Sequence, residues 1–324
     1  ARLEGGAGAV VTATGMAAVD LIVGQLKAGD LVIAPHDCYG GSYRLLAARS
    51  ARGQFDVSFI DQSDSKAVAA AFEKTPAVVL VETPRNPLVR VIDIRGITGE
   101  AKATGAKVAV DNTFLSPALQ QPLALGADYV IHSTTKFLNG HSDVVGGAVI
   151  AADPAEVEKL RAWANVIGVT GAPFDAWLTL RGLRTLFARI ERQQRSAGIV
   201  ATFLEAHPLV KAVHYPGLVS HPGHAIAARQ QRGFGAMLSF ELAGGRDAVR
   251  RFVETVGIFT LAESLGGIES LIAHPSTMTH ADMGVEARRV AGISDGLLRL
   301  SVGLEHEGDL LAGLERGFAA LSLA

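Results

Sequence analysis

The stretch Tyr129-Val130-Ile131-His132-Ser133-Thr134-Thr135-Lys136 passes from a short apolar run through three hydroxyls to a lysine. A run of this length without polar alternation reads as a strand buried on both faces. Outward from it the pattern repeats. Ala9–Thr12, Leu31–Ala34, Val57–Ile60, Ala77–Val81 and Lys107–Val110 are runs of the same kind, and Gly146–Ile150 adds a further strand whose direction stays open. Between them Met16–Leu26, Ser42–Arg49, Ser65–Glu73 and Ile97–Thr104 carry helical patterns bounded by turn chemistry such as Ala28-Gly29-Asp30 and Gly105. Such strands, separated by helices, predict an α/β fold with a mainly parallel seven-stranded sheet covered on both faces. Ligands of such sheets bind beyond the carboxyl ends of the strands.

After Val149 the pattern changes. Pro154–Val166 and Pro173–Phe187 read as helices, and a long helix continues to about Glu205. Strands follow at Leu209–His214, Ala236–Leu242, Phe259–Leu261 and Leu297–Ser301, with helices at Arg246–Val256 and Glu307–Leu321. This is a smaller C-terminal α+β domain, and the division is placed at Gln194, giving units 1–194 and 195–324. The 324 residues carry a formal net charge of −2, which lacks the basic bias of a nucleic-acid binder. No apolar run reaches the length of a membrane span. The single cysteine, Cys38, excludes an internal disulfide and points to a reducing, cytoplasmic setting. The opening Ala1-Arg2-Leu3-Glu4 has neither Met nor a signal-peptide pattern and reads as the end of a helix.

Lys136 follows a buried strand and therefore stands at the ligand edge of the sheet. A desolvated lysine amine condenses with an aldehyde, and neighbouring hydroxyls donate to a phosphate; a solvated lysine in a polar loop is the plain alternative. Asp111 ends the strand Lys107–Val110 and is either a carboxylate aimed into the same crevice or the cap of a turn with Asn112-Thr113. Thr12-Ala13-Thr14-Gly15-Met16-Ala17 opens the first helix with small residues, an anion-accepting arrangement that is neither a dinucleotide fingerprint nor a P-loop. Tyr39, in Asp37-Cys38-Tyr39-Gly40-Gly41-Ser42, is a phenol able to stack on a flat ring and move protons, or a partly buried turn tyrosine. His36, Asp37 and Cys38 are consecutive and cannot converge on one ion, so no metal is expected. Arg299 alternates with leucines and either faces solvent or grips a carboxylate through its planar fork.

Three separated segments carry a resemblance: Val110-Asp111-Asn112-Thr113-Phe114, His132-Ser133-Thr134-Thr135-Lys136-Phe137-Leu138-Asn139-Gly140-His141-Ser142-Asp143, and Ala262-Glu263-Ser264-Leu265-Gly266-Gly267-Ile268-Glu269-Ser270-Leu271. In this order they resemble the Cys/Met-metabolism pyridoxal phosphate (PLP) enzymes, which include cystathionine γ-synthase, the cystathionine lyases and methionine γ-lyase. His36-Asp37-Cys38-Tyr39-Gly40-Gly41-Ser42-Tyr43-Arg44-Leu45 is most similar to the bacterial γ-synthases and γ-lyases. The resemblance implies the PLP-dependent transferase fold of type I and pyridoxal 5'-phosphate as cofactor. It makes Lys136 the lysine that carries the cofactor, Asp111 the partner of the pyridine nitrogen, and Gly15, Met16, Ser133 and Thr135 the phosphate ligands. Tyr39 becomes the ring-stacking, proton-moving phenol and Asn86 a neighbour of the cofactor's phenolic oxygen. Ser264 and Arg299 become residues that bind the substrate or hold the lysine, with Arg299 on the α-carboxylate, and Arg44 and Glu263 face the distal end of long substrates.

The implied reaction is γ-replacement, joining an O-succinyl- or O-acetylhomoserine to cysteine, with γ-elimination of cystathionine to cysteine, 2-oxobutanoate and ammonia as the alternative. Glu263 and Arg44, as buried charges, would penalise short apolar substrates; a solvent-exposed Glu263 at the rim is the plain alternative. A homotetramer built as a dimer of dimers is expected. The family's N-terminal Tyr-x-Arg-x-x-Asn-Pro-Thr segment, whose Tyr and Arg reach the neighbouring subunit's phosphate site, lies ahead of the region matching Leu3-Glu4-Gly5-Gly6, so the phosphate site of the sequence as written is expected to be incomplete. Two rival classes remain on the residues alone. A nicotinamide dehydrogenase fits the sheet but not the first strand-to-helix turn, and a non-catalytic binding module makes Lys136 and Asp111 structural.

Overall fold

The computed structural model describes residues 1–281 and 283–322. In chain order the first part contains β1 (Gly8–Thr12), α1 (Gly15–Val23), β2 (Leu31–Pro35), α2 (Gly40–Ala51), β3 (Asp56–Ile60) and α3 (Ser65–Phe72). It continues through β4 (Val78–Glu82), α4 (Ile94–Thr104), β5 (Lys107–Asp111), the short α5 (Ser116–Leu119), β6 (Tyr129–Ser133) and β7 (Gly147–Ala151). These strands make one sheet in the order β1-β7-β6-β5-β4-β2-β3. The run from β6 to β3 is parallel, and β7 is antiparallel to both β6 and β1. Both faces are covered, as unalternating strands require. Leu21 of α1 packs with Val149 and Leu80 on one side, and Ile97 of α4 packs with Val79 and Val110 on the other.

Helices α6 (Pro154–Ile167), α7 (Pro173–Leu183) and α8 (Leu186–Glu205) follow. The expected single helix Pro173–Phe187 is interrupted at Arg184-Thr185, between α7 and α8, just after Gly182 in the last turn of α7. The second sheet collects β8 (Val210–His214), β9 (Met237–Leu242), β10 (Thr260–Leu261), β11 (Leu271–Ala273) and β12 (Leu297–Ser301) in the order β10-β11-β12-β9-β8. It is antiparallel except between β10 and β11. Helices α9 (His224–Gln230), α10 (Gly245–Val256), α11 (Val285–Ala291) and α12 (Glu307–Ser322) complete this part. Strand β11 was not expected from the sequence, because three residues are too few to show a period. At the start of the chain, turns stand in place of a helix end, closed by Glu4 and Gly6 N–H donating to Ala1 O at 3.0 and 3.1 Å.

Helix α8 belongs to both parts. Its first turns bury Leu186 and Ile190 against Leu115 and Phe137, while Ala197, Val200 and Leu204 pack with Phe240 and Leu298 of the second sheet. Gln194 lies between these two sets. Arg189, buried on the same helix, donates to Phe137 O at 2.9 Å, Leu138 O at 3.4 Å and Gly182 O at 3.0 Å, fixing the turn that follows Lys136. That turn passes so close to α7 that a Cβ on Gly182 would lie 2.1 Å from Asn139 O. In an ordinary helix Gly→Ala gains up to about 1 kcal/mol. Here a backbone atom must move, and overpacking of this kind costs about 1–3 kcal/mol. Gly182→Ala is therefore expected to lower stability to urea; an unchanged or raised midpoint would contradict this close approach.

Candidate functional site

Strands β4, β5 and β6 are parallel, so their carboxyl ends deliver Glu82, Asp111 and Ser133 to one edge of the sheet. There they line a cavity of about 690 Å³ between the two sheets. All twelve residues singled out in the sequence line it: Gly15, Met16, Tyr39, Arg44, Asn86, Asp111, Ser133, Thr135, Lys136, Glu263, Ser264 and Arg299.

Lys136 Nζ donates to Ser264 Oγ at 2.9 Å. Burial, followed by the Arg299 charge and opposed by Glu263, brings the Lys136 amine down from the usual lysine range to about 8. Roughly a tenth is then the neutral, nucleophilic form at pH 7, against less than a thousandth for an ordinary lysine. The loop bearing Glu263 and Ser264 is held against the lysine turn by Gly266, whose φ of +78° and contact with Phe137 N exclude a side chain, and by Gly266 N–H donating to Ser301 Oγ at 2.8 Å.

At the other side, Thr14 caps α1 by accepting from Ala17 N at 2.9 Å. The N–H groups of Gly15 and Met16 have no partner inside the helix and suit an anion. Gly15 lets this helix end approach β6, since a Cβ there would lie 2.9 Å from Ser133 Cβ. Thr135 Oγ1 is engaged with the main chain of Gly146, donating to its O at 3.2 Å and accepting from its N at 3.0 Å. Tyr39 is half exposed, and its ring lies over Gly41, where a Cβ would meet Tyr39 Cε1 at 2.5 Å and Met16 Sδ at 2.8 Å.

Arg299 is buried rather than facing solvent. Its guanidinium donates to Asn86 Oδ1 at 3.0 Å, Glu263 O at 2.8 Å and Ser264 O at 2.9 Å. Of five N–H bonds in the fork, those three use both on Nη2 and one on Nη1, and Nε is buried without a partner. Burial lowers its affinity for the proton to about 10, so it stays charged at neutral pH. Arg44 and Glu263 are exposed at the mouth. The desolvation penalty expected of them therefore does not operate; they act as solvated charges.

Sequence reading missed Glu82, having ended the strand at Val81. The signal was the one that singled out Asp111, a carboxylate closing an apolar run. Burial first, then the neighbouring Asp111 carboxylate, pushes Glu82 up to about 8. Burial raises Asp111 as well, against the hydrogen bonds from Thr113. Asp37, set aside as a metal ligand, forms a buried ion pair with Arg85 and a second with Arg90 at 2.7 Å.

The pocket fits pyridoxal phosphate. Two buried carboxyls raised by burial call for a cationic N–H beside Asp111, a helix end receives a phosphate, and a partly deprotonated lysine receives an aldehyde. Comparison with known proteins agrees. The family model described as Cys/Met metabolism PLP-dependent enzyme matches residues 1–319. Cystathionine γ-synthase of Escherichia coli (strain K12) is 60% identical over 321 residues, covering 99% of this chain and 83% of that protein. The crystal structure of cystathionine γ-synthase from Xanthomonas oryzae pv. oryzae in complex with cystathionine superposes with a TM-score of 0.98 at 57% identity, covering 99% of this chain and 84% of that one. The cystathionine γ-lyase from Lactobacillus plantarum, complexed with L-serine, gives 0.96 at 43% identity, covering 99% and 84%.

The lysine environment is directly measurable. In cofactor-free enzyme, labelling of Lys136 by an amine-directed reagent, read by peptide mapping, is expected to rise with a midpoint at about 8 rather than the ordinary 10.5. The sign follows from burial, which favours the neutral amine. A midpoint above 10 would mean that the pocket does not desolvate the amine.

Proposed function

We propose that this chain, which belongs to the Cys/Met metabolism PLP-dependent enzymes, catalyses γ-replacement on an O-acylhomoserine with cysteine as the incoming thiol, yielding cystathionine. The observation that carries the reading is the convergence of Lys136, Asp111 and Arg299 on one cavity, each held by a different element. The 60% identity to a cystathionine γ-synthase supports replacement over elimination.

Pyridoxal phosphate, when bound, supplies an aldehyde for the amine and a ring that accepts electrons from bonds at the substrate's α-carbon. Lys136 would hold the cofactor through its amine, and that amine is placed to move protons at the substrate's α- and β-carbons. Asp111 keeps the ring nitrogen protonated. Gly15, Met16 and Ser133 hold the phosphate; Thr135 joins them by exchanging its bonds to Gly146. Tyr39 covers the ring and protonates the leaving group, and Asn86 stands near the phenolic oxygen. Arg299 takes the α-carboxylate by exchanging an Nη2 bond to the Glu263 or Ser264 carbonyl for it, and Ser264 orients Lys136. Arg44 and Glu263 meet the distal charges of the acyl group or of cystathionine at the mouth.

The chain divides at Gln194, a reading supported by the two packing partners of α8. Assembly as a tetramer of two dimers is supported by Phe174, Trp177, Leu180 and Phe187, each more than half exposed on or beside α7, an apolar patch of the kind that associates. Buried Cys38 supports a reducing, cytoplasmic setting.

Holoenzyme given O-succinylhomoserine and cysteine is expected to form cystathionine, and given cystathionine alone to release little 2-oxobutanoate. Rapid release of 2-oxobutanoate and cysteine would establish the lyase instead, and pyruvate would overturn attack at the γ-carbon. Asp111→Asn is expected to retain some cofactor while losing about 2–4 kcal/mol of transition-state stabilisation, read as a fall in kcat; near-normal turnover would remove Asp111 from the mechanism.

A further inference from the structure

We propose that Glu82 is a positioning residue for this reaction: its carboxyl accepts the main-chain N–H of Tyr39 and thereby fixes the tyrosine loop relative to the Asn86–Arg299 pair. The proposal rests on the reading of the cavity given above and adds to it a residue that sequence analysis passed over.

Glu82 is buried at the end of β4, in register with Asp111 across the strand pair, and lines the cavity. Its Oε2 accepts from Tyr39 N at 2.8 Å, and Oε1 faces Asn86 N at a longer 3.5 Å. Asn86 in turn presents Oδ1 to Arg299. One carboxyl thus touches the loop that carries the ring-covering phenol and the loop that holds the arginine. Tyr39 is the N-cap of α2 and makes no side-chain cap bond, so its placement there falls to the main chain and to Glu82.

The cost of this arrangement argues for its purpose. A carboxyl buried beside Asp111, and facing Asp37 as well, is pushed toward the neutral form by all three causes, and an aliphatic residue would escape the penalty. What an aliphatic residue cannot do is accept the Tyr39 N–H. A neutral carboxyl accepts an N–H through its carbonyl oxygen, so the requirement is for an acceptor at this reach and not for charge. Glutamine keeps an acceptor at the reach of Tyr39 N–H, drops the charge and gives up only the longer 3.5 Å contact with Asn86 N; aspartate keeps the carboxyl and falls one methylene short.

Holoenzymes carrying Glu82→Gln and Glu82→Asp would be compared with the parent by PLP affinity, by kcat and KM for O-succinylhomoserine, and by amide hydrogen exchange at Tyr39. Glu82→Gln is expected to keep PLP affinity and Tyr39 protection within about threefold, and Glu82→Asp to speed Tyr39 exchange and lower kcat by about tenfold with KM little changed, the scale of one hydrogen bond. An Asp variant equal to the parent, or a Gln variant as impaired as Asp, overturns the proposal. Should neither variant fold, the parent decides: a Tyr39 amide exchanging at the rate of an unstructured chain also overturns it. Borohydride reduction of the parent is read separately. Cofactor fixed to a lysine other than Lys136 sinks the reading of the cavity, while the Tyr39 exchange still reports on the Glu82 bond.

Discussion

A guanidinium removed from water must find acceptors where it lands, and Arg299 lands between the two sheets. It rises from the buried strand β12 and spends three donors on Asn86, Glu263 and Ser264, which belong to loops on opposite sides of the cavity. Neighbouring bonds follow the same line. Ser239 Oγ, paired with Arg299 across β9 and β12, donates to Pro87 O at 2.6 Å, and Gln193 Nε2 on α8 donates to Gly267 O at 2.7 Å and to Val302 O at 3.1 Å. The second sheet is thus tied to the large one along the wall of the cavity. The same charge lowers the Lys136 amine after burial has done so, so one residue both shapes the crevice and prepares its nucleophile.

The charges of the cavity are arranged by depth. Two carboxyls, Glu82 and Asp111, stand side by side at the sheet edge, and two nitrogenous groups, Lys136 and Arg299, stand opposite. Burial moves the carboxyls toward neutrality and the lysine toward its free base, so the fold disfavours charge on both sides. A ligand bringing a cationic ring nitrogen to Asp111 and a carboxylate to Arg299 reverses that bias at each end. Binding and charge are then linked, and the cofactor and substrate restore the ionised state that the fold alone makes costly.

Much of this arrangement was legible before any coordinates. The parallel sheet followed from apolar runs without alternation, because β4, β5 and β6 are buried on both faces. Asp111 and Lys136 followed from their places at strand ends, where parallel topology collects ligands. What was not legible depended on distance along the chain. Arg299 on a leucine-rich strand looks the same whether it faces solvent or a cavity, and only the loop holding Asn86, 213 residues away, decides. Glu82 was lost to a boundary placed one residue early. Arg189 carries no local signal, since its acceptors are main-chain carbonyls of Phe137, Leu138 and Gly182 and any sequence supplies those.

The contrast between Arg299 and the residues at the mouth bears on how specificity arises. In the proposed reaction Arg299 meets the α-carboxylate in a desolvated place, where a charge-assisted hydrogen bond is strong. Arg44 would meet a distal carboxylate and Glu263 a distal ammonium in water, where an ion pair is worth at most about 1 kcal/mol. The α-amino-acid end of a substrate is therefore bound by energy, and the distal end is mainly steered. Synthase and lyase chemistry share the steps up to departure of the γ-substituent and part only when a thiol or water arrives. On the proposed reading, the solvated charges at the mouth would act at that moment, since incoming cysteine and outgoing acyl group both pass them. Selectivity for replacement then depends on occupancy of the outer cavity by thiol, a property of the rim, while the buried residues below serve either outcome.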